Sequence, residues 1–86
     1  MNVAVNVDIM ERTKETAVAD FLDFIKKSWT WKKLTDKEKK SFIDTVEAVS
    51  ERGVIKGTYT SRWNIVQSLY SMFLSGCGYE GGNWRD

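Results

Sequence analysis

Apolar residues return along most of this chain every three or four positions, the spacing of one face of a helix. From Ile9 to Trp29, steps of 100° per residue bring Met10, Ala17, Val18, Phe21, Leu22, Phe24, Ile25 and Trp29 onto one broad stripe. Asp20, Asp23, Lys26 and Lys27 fall outside it. Asp8 and Glu11 have capping-box spacing at the start. The pattern predicts a helix over 9–27. A second helix is predicted over 36–51, with Thr35 and Glu38 as its capping box and Phe42, Ile43, Val46 and Val49 as its stripe. Gly53 is the natural stop.

The third helix, 61–75, differs from the other two. It carries no charge after Arg62, and apolar groups cover more than half its circumference. Its remaining sector is Asn64, Gln67, Ser68, Ser71 and Ser75, small or neutral where a solvated face usually carries charge. That composition predicts a helix covered on several sides, around which the other elements are organised.

Two stretches do not follow the helical period. Val3, Val5, Val7 and Ile9 alternate with Asn2, Ala4, Asn6 and Asp8, a strand-like pattern that predicts an extended arm over 1–8. Gly53–Thr60 is rich in glycine and β-branched residues and is a candidate strand partner for residues 3–7. After Gly76 comes a glycine-rich tail, 76–86, bearing Tyr79 and Trp84. Ordering such a tail costs entropy that docked aromatics can offset. The fold class is therefore all-α: a single domain resembling a three-helix bundle, with an N-terminal arm and an irregular tail. The expected core is Phe21, Leu22, Ile25, Phe42, Val46, Val49, Val66, Leu69, Tyr70 and Phe73, with Trp29, Trp63 and Trp84 at least partly buried.

Composition narrows the picture. Eighty-six residues suit one domain, and 42% hydrophobic residues with four Trp are too apolar for a disordered chain. The net charge of +1 is unevenly spread. Residues 1–25 carry five acids and two bases; residues 26–40 carry seven Lys and two acids. A local basic patch is thus expected in a chain that is not globally basic. Cys77 has no intramolecular partner, which favours a reducing compartment, and neither a membrane span nor a secretory leader is legible. The expected location is cytoplasmic.

Candidate chemistry is sparse. With no His, the usual near-neutral base and a common metal ligand are missing, and one Cys cannot build a thiolate zinc site. Asp20 and Asp23 lie on a polar face with no apolar pocket to raise a carboxyl pKa. No phosphate-binding glycine loop occurs. The expectation is a non-enzymatic chain without catalytic residues, metal or cofactor.

Two features point to binding. The neutral sector of the third helix and the aromatic tail suit a protein partner or a second copy of the chain, with Asn64, Ser68, Ser71, Tyr79 and Trp84 as candidate contacts. The alternative is weak, non-specific nucleic-acid binding by the Lys-Trp segment 26–40. There Lys26, Lys27, Lys32 and Lys33 would meet phosphates and Trp31 would stack on bases. That segment contains no Arg, the usual reader of base edges. The third helix is also too apolar for the recognition helix of a helix-turn-helix.

Overall fold

The computed structural model describes residues 3–77 and 83–85, with side chains from residue 9 onward. Four helices follow in order: α1 (Val3–Lys26), the one-turn α2 (Trp29–Lys32), α3 (Asp36–Lys56) and α4 (Arg62–Ser75). The all-α fold expected from the periodicity is the observed one. At 1.5 Å per residue, the 24-residue α1 spans about 36 Å and sets the long axis of a molecule measuring 46 × 24 × 17 Å.

The first correction concerns the N-terminus. Residues 3–8 are the opening turns of α1, not an extended arm. The valines that alternate also lie four apart, as Val3/Val7 and Val5/Ile9 do, so the stretch satisfies a helical spacing too. With residues 3–7 and 53–56 both helical, the pairing of residues 3–7 with the segment after Gly53 does not form.

A second correction concerns the organising element. α1 lies between the others, packing along α3 on one side and α4 on the other, whereas α3 and α4 touch each other much less. One flank of α4 is therefore left without a neighbouring helix.

Ser28 caps α2: its hydroxyl accepts from the Trp31 amide at 3.2 Å and donates to the Ile25 carbonyl at 2.6 Å. This short turn buries Trp31 and Leu34. The predicted capping box at α3 is present. Thr35 Oγ1 accepts from the Glu38 amide at 3.1 Å, and Glu38 Oε1 accepts from the Thr35 amide at 2.9 Å.

Gly53 does not end α3. The helix runs on to Lys56, and Gly57, at φ 77°, forms the left-handed cap. Gly53 is needed for a different reason. The chain doubles back so that the Tyr59 amide donates to the Gly53 carbonyl at 3.0 Å, and the Tyr59 ring packs against α3 at Gly53. A Cβ at residue 53 would sit 2.6 Å from that ring.

The core centres on Phe42, which is fully buried. Around it lie the rings of Trp84 at 4.7 Å, Phe73 at 5.1 Å, Trp31 at 6.0 Å and Phe21 at 6.2 Å between centroids. Most of the expected core is in place: Phe21, Ile25, Val46, Val49, Leu69 and Phe73 are buried, while Leu22 and Val66 pack partly against it. Ala17, Ile65, Met72, Val54 and Tyr59 complete it. Tyr70, Trp29 and Trp63, expected inside, are exposed.

Beyond α4, Gly76 caps the helix at φ 78°. Cys77 and Asn83 form an isolated antiparallel bridge, which returns Trp84 to the core. Arg85 Nε donates to Glu38 Oε2 at 3.3 Å, tying the tail to the start of α3.

Candidate interaction face on α1 and α4

The inward stripe of α4 is Ile65, Leu69, Met72 and Phe73. Trp63 lies two residues before Ile65, about 200° around the helix, so it points away from the core. Steps of four, three and four then carry the same outward line through Gln67, Tyr70 and Leu74. All four of these residues are exposed, Trp63 at 67%, Leu74 at 66% and Tyr70 at 42%. Phe24 of α1, 62% exposed, extends the surface beside Trp63.

The ridge formed by Trp63, Val66 and Tyr70 separates two open grooves. One, of about 620 Å³, runs between α1 and α4 and has Phe21 and Phe24 on its α1 wall. The other, of about 710 Å³, lies on the free flank of α4 and extends past Gln67 and Ser71 to Leu74. An ion pair between Arg62 and Asp20 forms part of the lining of the first groove. Both partners are substantially exposed, so the pair contributes little to stability and serves mainly to fix that part of the lining.

The neutral sector expected to bind a partner is mostly used internally. Asn64 Oδ1 accepts from the Thr60 hydroxyl at 2.8 Å and the Ser61 hydroxyl at 3.1 Å, organising the start of α4. Ser68 is half-buried and accepts a hydrogen bond from the Tyr59 hydroxyl. Ser71 alone of the three helical candidates adjoins the exposed face. Trp84 is a core residue at 3% exposure, so it is not a surface contact. Tyr79 lies outside the described residues.

In the Lys-Trp segment the two tryptophans part company. Trp31, which would stack on bases under the nucleic-acid alternative, is buried against Phe42, with the Lys39 ammonium 5.9 Å from its ring centre. Trp29, expected inside, is 71% exposed, with the Lys33 ammonium 5.3 Å from its ring centre. Lys26, Lys27, Lys32 and Lys33 are exposed around it. The exposed indole beside one of the lysine candidates, Lys33, is thus that of Trp29.

One carboxyl stands apart. Glu38 is held below the usual glutamate range chiefly by the Thr35 amide hydrogen bond, opposed by partial burial, with the Thr35 hydroxyl and Arg85 adding to the lowering. Its partners are structural, and it faces none of the apolar grooves on α4. Among the described residues, no three His, Cys, Asp or Glu side chains gather to hold a metal ion, and no helix is long and apolar enough to cross a membrane.

The chain matches no family profile, and neither curated proteins nor solved structures include one significantly similar to it.

Proposed function

We propose that this chain is a non-enzymatic protein–protein interaction domain whose contact surface is the exposed aromatic face of α4 and Phe24. The observation that carries this reading is the outward line Trp63–Gln67–Tyr70–Leu74 on a helix whose opposite side is already core. Exposed large apolar side chains are ordinary when scattered singly. Contiguous ones rimmed by polar groups mark association surfaces. Trp and Tyr are also enriched among residues that dominate binding energy. The test is a photoreactive amino acid placed at Trp63 and, as control, at the exposed Glu47 on α3. Adducts in cells from position 63 but not from 47 support the reading. Equal or absent adducts count against it.

A second reading rests on Trp29. Its exposed indole amid Lys26, Lys27, Lys32 and Lys33 suits a single-stranded nucleic acid, with phosphates on the ammonium groups and a base on the ring. It ranks lower because the segment lacks Arg and because Lys33 already lies over the ring a base would need. Titration with single-stranded DNA and RNA at low salt decides it. Binding should weaken steeply with added salt and vanish in a Trp29→Ala, Lys32→Glu, Lys33→Glu variant. No binding at low salt removes this reading.

A further inference from the structure

We infer that the occupant of the α4 face is a second copy of this chain, with the two α4 helices antiparallel about a two-fold axis. This rests on the interaction reading above and names its partner.

The first argument is the arrangement of the outward line. A two-fold axis perpendicular to α4 and midway between Gln67 and Tyr70 also lies midway between Trp63 and Leu74. Antiparallel pairing about that axis sets Trp63 against the partner's Leu74 and Gln67 against the partner's Tyr70. Both pairs then recur by symmetry, as a closed isologous interface requires. The four–three–four spacing is the seam of left-handed helix pairing. The fit is chemical as well as geometric. A large ring meets a branched aliphatic side chain at each end, and an amide that both donates and accepts meets a phenol near the axis.

The second argument is charge. The line Trp63–Gln67–Tyr70–Leu74 is uncharged, so two copies meet without like-charge repulsion, and the surface offers a charged partner little to read. α4 also has no acid in its first turn and no base in its last. Its dipole therefore lacks the usual side-chain complement at either end. In an antiparallel pair, each helix start lies beside the partner's helix end, which supplies that complement.

The third argument is area. At their observed exposures, Trp63, Tyr70, Leu74 and Phe24 leave on the order of 500 Å² of surface open on each copy. Two such faces together reach about 1,000 Å², the lower bound for a specific interface.

The experiment is sedimentation and light scattering of the full chain from low micromolar to submillimolar concentration, with circular dichroism confirming the helical fold of every variant. The wild-type chain should move from 9.9 kDa toward twice that mass. Trp63→Glu and Leu74→Lys should each weaken the dimer at least about thirtyfold, the size of a hot-spot loss. The double variant should recover dimerisation, because in the antiparallel register each new carboxylate meets the partner's new ammonium. In a parallel register like charges would meet instead.

A wild-type chain that stays monomeric overturns the proposal, as do single variants that dimerise normally or a double variant that stays monomeric. If the chain is monomeric but the photoreactive group at Trp63 captures a different polypeptide, self-pairing fails and the interaction reading stands. If the group captures nothing, both fall.

Discussion

Trp84 donates its indole N–H to the main-chain carbonyl of Met72 at 2.8 Å. The same carbonyl accepts from the Gly76 amide at 3.0 Å, so one oxygen near the end of α4 holds both the helix cap and the returning tail. The Trp84 carbonyl in turn accepts from the Ser41 hydroxyl of α3 at 2.7 Å, and its ring is stacked on Phe73 at 6.0 Å. A residue from the tail thereby joins α3 to α4, which otherwise touch little.

Trp84→Ala should cost about 3–5 kcal/mol, the range for emptying a buried aromatic site. That is much of the stability of a domain this small. Trp84→Phe keeps most of the ring packing and gives up the hydrogen bond, so its cost should be nearer ~1–2 kcal/mol. Urea unfolding of both variants checks the ordering; an alanine variant as stable as wild type would show that Trp84 does not bridge the two helices.

Gly53→Ala normally gains about 1 kcal/mol in a helix interior. Here it should destabilise the protein by about 1–3 kcal/mol, because the added methyl meets the buried Tyr59 ring at 2.6 Å. Combining it with Tyr59→Ala should remove that clash and make the effect of the glycine change favourable. A double-mutant cycle in urea measures the coupling directly.

Acid should weaken the capping box that starts α3 and, to a lesser degree, the link from Glu38 to Arg85 of the tail. The Glu38 carboxyl is held below its ordinary value of 4.5, so the unfolded chain takes up this proton before the folded one does. The corresponding stabilisation is fully present above pH ~4.5 and drains away as pH falls through the lower folded value. Glu38→Gln keeps a capping-box side chain but removes the titrating group. Its stability should fall less steeply with acid than that of wild type, as read from unfolding midpoints between pH 6 and pH 3.

Ser50 is 1% exposed, and its hydroxyl oxygen has no hydrogen-bond partner among the described residues. Replacing an unsatisfied buried polar group by an apolar one of similar shape removes a desolvation cost. Ser50→Ala should therefore be neutral or stabilising by up to about 1 kcal/mol, seen as an unchanged or higher melting temperature.

What could be read from the chain divides along physical lines. Phe21, Ile25, Phe42, Val46 and Leu69 sit on long amphipathic stretches, where the phase of the helix fixes the buried side. Trp29 and Trp31 sit in a one-turn helix, too short for any period to set its phase, so the pattern does not show that Trp31 turns inward and Trp29 outward. α4 posed the opposite problem. With apolar residues on more than half its surface, its composition suits burial from several sides, yet only one other long helix packs extensively along it. Trp63, Tyr70 and Leu74 were therefore assigned to no site. The four–three–four step through Gln67 was the available signal, but it looks the same whether it faces a core or a partner. In the tail, docking of Trp84 follows from the entropy argument, but its target between α3 and α4 depends on contacts distant in sequence.

The four tryptophans divide evenly, Trp31 and Trp84 inside and Trp29 and Trp63 outside. The chain thus carries its own optical reporter. A dissolved quencher should reach the outer pair and spare the inner pair, giving two classes of emission from one unlabelled molecule. If α4 pairs as inferred, Trp63 leaves the accessible class as concentration rises, while Trp29, on α2 and outside the line that pairs, continues to be quenched.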